Sequence, residues 1–157
     1  MILSDTISAI ATPNGEGGIG IIRLSGPLAI PISAVLFHPS RQISDFKSYT
    51  IHHGQVIDPE SNQVVDEVLL NVFRSPKSYT TEDMVEFNCH GGSIILRRVL
   101  ELTLKHGARI ADPGEFTKRA FLNGRIDLAQ AEAVIDLIQA KSDIARQMAV
   151  DQLGEKL

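Results

Sequence analysis

The chain has 157 residues, 43% of them hydrophobic and 22% charged, which is enough apolar material to bury a full core and excludes a disordered chain. Its formal charge is −4 and no run of lysine or arginine exceeds two, which excludes an electrostatic nucleic-acid footprint carried by this segment alone. Cys89 is the single cysteine, so an internal disulfide and a C-x-x-C metal site are excluded.

Residues 1–10 lack a basic, long apolar leader, and no apolar run reaches membrane length, so the expected location is cytoplasmic. The first strand is predicted near Thr6–Ala11. It leads into Gly15-Glu16-Gly17-Gly18-Ile19-Gly20, which fits the G-x-G-x-x-G spacing of dinucleotide-binding turns. That spacing has a mechanism only when a helix leaves the glycines, because the helix N-terminus supplies the N–H groups and dipole that hold phosphate. Here Ile21-Ile22-Arg23-Leu24-Ser25-Gly26 follows, a β-branched run closed by glycine. The prediction is therefore a second strand over Gly18–Leu24 and a hairpin turn rather than a phosphate cradle. The kinase use of such glycines needs V-A-I-K, H-R-D and D-F-G, and the chain has none of them. Arg23 stands late in this aliphatic strand, as a snorkelling edge residue or as a carboxylate clamp.

Pro27 to Phe37 carries Leu28, Ile32, Val35 and Leu36 at helical spacing, with Pro27 placed for a first turn. Strands are predicted at Tyr49–Ile57, Val64–Phe73 and Met84–His90. His52 and His53 are adjacent on a strand, point to opposite faces and fail as a metal pair. Glu82 and Asp83 follow Thr80-Thr81 in a loop, where turn and capping roles are commoner than catalysis, and Tyr79 packs beside them. In the strand after them, Val85, Phe87 and Cys89 take one face while Glu86, Asn88 and His90 take the other. That second face is either a solvated surface or a binding wall, brought near backbone N–H groups by the following Gly91-Gly92. The same alternation separates Cys89 from His90 and excludes a thiol–imidazole dyad. A helix follows through Leu104 and stops near His106-Gly107. Strands interspersed with two helices describe an α+β domain with a mixed or antiparallel sheet.

Asp112-Pro-Gly-Glu is predicted to be a capping box opening a short helix that ends at Asn123-Gly124. Asp127, with Gln130 three residues on, caps a last helix. Its apolar stripe is Leu128, Ala131, Ile135, Ile138, Ala145 and Met148, with Glu132, Asp136, Gln139 and Arg146 outside. That stripe asks for a partner surface the rest of the chain hardly supplies. The expected division is therefore one domain over residues 1–125 and the start of a helical domain over 126–157. No G-x-x-x-x-G-K-[ST] is present, and neither a catalytic residue nor a metal site is expected.

Three long stretches, "DTISAIATPNGEGGIGIIRLSG", "SPKSYTTEDMVEFNCHGG" and "PGEFTKRAFLNGRIDLAQAEAVIDLIQA", closely resemble the N-terminal region of the tRNA-modification GTPase family called MnmE or TrmE. The resemblance implies a tetrahydrofolate-binding and dimerisation domain, similar in fold to the glycine-cleavage aminomethyltransferases, followed by the first helices of a helical domain. It implies that the GTPase domain, with its GTP, potassium and magnesium, lies outside this chain. Family members work with the flavoprotein MnmG (GidA) to place a carboxymethylaminomethyl-type group on carbon 5 of the wobble uridine of tRNA. The expected cofactor is a tetrahydrofolate derivative in the 5-formyl or methylene form, bound to a homodimer. The matching ligand positions are Arg23, Glu86 and Arg125, with Asn88, His90 and Tyr79 beside them. A reduced pteridine presents a 2-amino group and a ring N–H side by side, and Glu86 is the natural acceptor of that pair. Arg23 and Arg125 are alternatives for the glutamate tail or the formyl oxygen. Two departures stand out: Asn14 where a second proline is usual, and Thr81 where glycine is usual, although threonine tolerates positive φ poorly. Two other readings are a stand-alone folate-dependent aminomethyltransferase-like enzyme and a purely structural dimerisation module. The absence of a persuasive catalytic acid or base weighs against the first.

Overall fold

Period-two alternation in the first two thirds of the chain builds a single mixed sheet. The computed structural model describes residues 4–12 and 18–155. Its strands are β1 (Ile7–Ile10), β2 (Gly20–Ser25), β3 (Phe37–Pro39), β4 (Thr50–Ile57), β5 (Val64–Phe73), β6 (Met84–Cys89) and β7 (Arg109–Ile110). Their order in the sheet is β3-β4-β5-β6-β2-β1-β7. Neighbours are antiparallel except β1 and β7, which run parallel. Four helices complete the described residues: α1 (Ala29–Leu36), α2 (Gly92–Lys105), α3 (Glu115–Leu122) and α4 (Leu128–Glu155). The α+β reading with a mixed sheet holds, and no helix among the described residues is long and apolar enough to cross a membrane.

The glycine-rich stretch exits as a strand. Ile7 pairs with Ser25 and Ile10 with Ile22, so β1 and β2 form the expected antiparallel pair and no helix follows Gly20. The turn conformations expected for Gly15 and Gly17, and the Asn14 departure, lie outside the described residues. Gly20 has a packing reason: a Cβ there would sit 2.7 Å from the Leu96 side chain of α2.

One face of the sheet carries the main core. Ile22, Leu24, Val68, Leu70, Val72, Val85 and Phe87 are buried under Ile32 and Leu36 of α1 and Val99 of α2. The opposite face is covered only in part. Ile7, Ser25 and Met84, on the same face as Arg23 and Glu86, are buried, whereas Ile51 farther along that face is 67% exposed. The covering pieces are α3 and the loop before β6, through contacts described below.

The helix ends depart from expectation in two places. α1 begins at Ala29, after Pro27, and its first turn contains Pro31, where a missing N–H costs little. Its buried residues are Ala29, Ile32, Ser33 and Leu36, so Leu28 and Val35 point outward instead of into the core. α3 begins at Glu115 with Gly114, not Asp112, at the N-cap in the left-handed region at φ 77°. Half of the expected capping box survives, since the Glu115 carboxylate accepts the N–H of Asp112 at 2.9 Å. In α4 the box is complete: Gln130 N–H donates to Asp127 Oδ1 at 2.7 Å and Asp127 N–H to Gln130 Oε1 at 2.9 Å. Only the first part of the α4 stripe is covered. Ala131 is buried, Ile135 and Ile138 are half-buried, and every described residue from Gln139 to Gly154 is exposed.

Candidate functional site

Strand register collects the chemistry into one row. Asn71 on β5 stands opposite Glu86 on β6, Glu86 opposite Arg23 on β2, and Arg23 opposite Ala9 on β1. Opposed residues share a face, so amide, carboxylate, guanidinium and methyl lie side by side across four strands. Arg23 Nε donates to Glu86 Oε2 at 2.9 Å, and Nη2 approaches the same oxygen at 2.9 Å. Both contacts fall on Oε2, and Oε1 has no hydrogen-bond partner among the described residues. The alternative left open for Arg23 is thereby resolved: it is a carboxylate clamp whose side chain stays 30% exposed.

At the Arg23–Ala9 end of this row lies a cleft of about 470 Å³. Its floor is Ala9, Ala11 and Arg23, small or flat groups that leave room over the sheet. Its walls come from Phe116 and Thr117 of α3, Tyr79 of the loop before β6, and Val134 and Ile138 of α4. The Phe116 ring lies 5.5 Å from the Arg23 guanidinium carbon, a cation–π contact that holds the guanidinium plane at the floor. Tyr79 shares its hydroxyl hydrogen bond with Thr117 at 2.9 Å, and its ring carries the Arg125 guanidinium at 5.4 Å. Gly114 lets α3 start against α4, because a Cβ there would press on Ile135 at 3.2 Å in a backbone conformation at φ 77°.

A buried ion-pair network holds the loop and α3 on the sheet. Arg119 is almost fully buried and its Nη1 donates to Glu82 Oε1 at 3.1 Å and to the Asp5 carbonyl at 2.9 Å. Its Nη2 donates to Asp5 Oδ1 at 2.6 Å. Glu82 Oε1 also accepts the Ser25 hydroxyl at 2.7 Å, and Ser25 bonds Thr80 at 2.6 Å. Arg109 joins the other side, donating to Asp5 Oδ2 at 3.0 Å and to Glu115 Oε2 at 2.6 Å. The Arg109 hydrogen bonds hold the carboxyls of Asp5 and Glu115 below the usual carboxylate range. Asp83 takes the turn role expected of it, accepting the Ser75 N–H at 2.8 Å.

The predicted site residues do not all meet. Arg23 and Glu86 are bonded to each other, Arg23 and Tyr79 line one cleft, and Arg125 reaches it only through its contact with the Tyr79 ring. Asn88 lies two residues along β6 from Glu86 on the same half-exposed face. His90 lies beyond the end of β6, its ring nitrogen Nδ1 3.0 Å from the Glu67 carbonyl. The backbone N–H groups at the mouth of α2 are not turned toward the Glu86 face: His90 and Gly91 both donate to Asp66 Oδ2, at 2.7 and 3.2 Å. Cys89 is buried, and burial pushes its thiol up to about 12, which leaves it without nucleophilic character at neutral pH. His52 and His53 part as expected, His53 to Ser40 and Glu67, His52 to Thr50. No group of three His, Cys, Asp or Glu able to hold a metal occurs among the described residues.

Sequence reasoning missed Asn71, Phe116 and Arg119. Asn71 carried a weak signal, a polar residue inside an otherwise apolar strand. Phe116 and Arg119 sit three apart in a helix, and nothing local to Glu115–Leu122 says which face meets the sheet.

The family described as the GTP-binding protein TrmE N-terminus matches residues 6–125. The chain is 54% identical to the tRNA modification GTPase MnmE of Staphylococcus haemolyticus and 56% identical to that of Staphylococcus aureus strain JH9, in each case over 98% of its own length. It spans 33% of the length of each of these relatives.

Proposed function

The chain belongs to the family of TrmE N-termini, and from that premise we propose that it is the folate-binding and dimer-forming module of a tRNA-modification GTPase. The observation that carries the folate half is the Arg23–Glu86 pair, one carboxylate oxygen satisfied and the other open, with Arg23 on the floor of a cleft that has aromatic walls. Folate presents what these residues lack: a donor edge on its pteridine, a flat ring system and an anionic tail. Glu86 Oε1 accepts from the donor edge, held in position by Arg23 on Oε2. Phe116 and Tyr79 bound the ring laterally, and Arg125, with no carboxylate partner among the described residues, faces the tail. A cleft of about 470 Å³ suits a ligand of that size. Bound there, the folate supplies a one-carbon unit in the 5-formyl or methylene form; the chain's own part is to bind, orient and shelter it. The fold is then the tetrahydrofolate-binding fold of the glycine-cleavage aminomethyltransferases.

The same proposal covers the intact protein. Residues 1–125 are the folate domain, α4 opens a helical domain, and the GTPase machinery with potassium and magnesium lies beyond this chain, which contains no phosphate-binding loop. Together with the flavoprotein MnmG the assembly modifies carbon 5 of the tRNA wobble uridine in the cytoplasm. Asn88 and His90 stand farther along the Glu86 strand as outer members of the site, His90 with its ring nitrogen already at the Glu67 carbonyl of β5. A homodimer is favoured by the bare outer face of β4 and β5, where Ile51 and Leu69 are exposed, as is Tyr49 just before β4.

Calorimetric titration with 5-formyltetrahydrofolate tests this reading. Binding is expected, and Glu86→Ala should weaken it by about 2–4 kcal/mol because two ligand donors lose their acceptor. Wild-type affinity in a folded Glu86→Ala chain would sink the assignment, and a chain that dimerises without binding folate would be the scaffold instead.

A further inference from the structure

Asn71 presents a buried side-chain carbonyl that has no hydrogen-bond partner among the described residues. Buried amide oxygens are nearly always satisfied, and leaving one stranded is costly. The surroundings make it more unusual. Asn71 stands directly across the β5–β6 pairing from Glu86, which in turn stands across from Arg23. Opposed residues have Cβ atoms about 4.5–5.5 Å apart, so the Asn71 carbonyl and the Glu86 carboxylate are neighbouring acceptors. Two acceptors have nothing to give each other. Arg23 does not serve both: it stands two strands from Asn71, and its Nε and Nη2 contacts are on Glu86.

We infer that Asn71 is a specificity-determining ligand contact, its side-chain carbonyl accepting the second hydrogen of an exocyclic amino group whose first hydrogen goes to Glu86. This rests on the folate reading and sharpens it. A carboxylate meeting a 2-amino-4-oxopyrimidine edge takes one amino hydrogen and the ring N–H, which leaves the other amino hydrogen pointing away from Glu86. An acceptor at the neighbouring position on the row completes the edge. The site then selects aminopyrimidines over rings bearing a methyl or oxo group at that position, because the analogue would strand the Asn71 carbonyl and take one hydrogen bond from Glu86.

The test is a cycle of two ligands and three chains, read by calorimetry. The ligands are 5-formyltetrahydrofolate and its 2-desamino-2-methyl analogue; the chains are wild type, Asn71→Leu and Glu86→Ala. Asn71→Leu keeps the volume and removes the carbonyl. It should weaken the parent ligand about ten-fold and change the analogue by less than about two-fold. The unliganded melting temperature should stay level or rise, since the leucine strands no acceptor. Equal losses for both ligands, or no loss for the parent, would overturn the inference. So would a lower melting temperature with unchanged ligand discrimination, which would make Asn71 a packing residue, or weaker self-association without a ligand difference, which would give it to a second copy. Asn71→Ala makes the same removal if the leucine chain does not fold. The two readings fail separately: absent wild-type binding, or full binding by Glu86→Ala, removes the folate site itself, whereas a weak Glu86→Ala beside a wild-type-like Asn71→Leu removes only Asn71.

Discussion

Thr81 holds φ 68°, in the left-handed region that a β-branched residue occupies at a cost. The sequence carried this position clearly, because the related motif has glycine there, and the loop keeps the glycine conformation with threonine in place. What holds it is the bonding on either side: Asn123 Nδ2 donates to the Thr80 carbonyl at 2.8 Å, and Glu82 is paired with Arg119 at 3.1 Å. Thr81→Gly should therefore raise stability by about 0.5–1 kcal/mol, the relieved strain exceeding the added chain entropy, as measured by urea unfolding. Asp5 and Glu115 make a second prediction at this scale. Hydrogen bonds from Arg109 lower both carboxyls in the folded chain, so the unfolded chain binds more protons as the pH falls toward their range. Their contribution is complete above the unfolded values of about 4 and is lost as pH falls through the lower folded ones. The denaturation midpoint should drop below about pH 4, and Arg109→Ala should flatten that acid limb while lowering the plateau. An unchanged slope in the variant would separate Arg109 from the effect.

Among the elements, those with strong periodicity were legible and those defined by their neighbours were not. β5 occupies the Val64–Phe73 span predicted from alternation, and β6 splits its faces as expected, with Val85, Phe87 and Cys89 buried and Glu86 and Asn88 half-exposed. β3 and β7 are only 3 and 2 residues long, too short to show a period, and each exists because an adjacent strand edge was open. α3 misled at its start because Asp112-Pro-Gly-Glu reads as a box, yet the left-handed Gly114 opens the helix and spends the Asp112 N–H on Glu115. The site divided along the same line: Arg23, Glu86 and Tyr79 lie in motifs, whereas Asn71 matters only through a cross-strand register. The Asp127–Gln130 box at α4 has its own test. Asp127→Ala should cost about 1 kcal/mol, felt locally as faster hydrogen exchange in the first turn of the helix.

For the whole molecule, two apolar surfaces remain uncovered: the outer face of β4 and β5, and α4 beyond Ile138. A chain with this much exposed apolar area should self-associate. Sedimentation at graded concentrations is expected to show a homodimer, tightened by 5-formyltetrahydrofolate to the extent that the ligand prefers the dimer. A monomer at tens of micromolar with and without ligand would remove the dimerisation half of the proposed function. The network around Asp5 bears on how the chain is made. Arg119 lies 114 residues after Asp5, and β7, the parallel neighbour of β1, also comes late. During synthesis β1 therefore emerges first and waits, one edge open and its acid unpaired, while most of the sheet assembles beside it. Only when α3 has left the ribosome does the loop that walls the cleft acquire its anchor. The cleft is among the last parts of the domain to take shape, and a nascent chain halted before Arg109 carries the whole Arg23–Glu86 pair on an unfinished sheet.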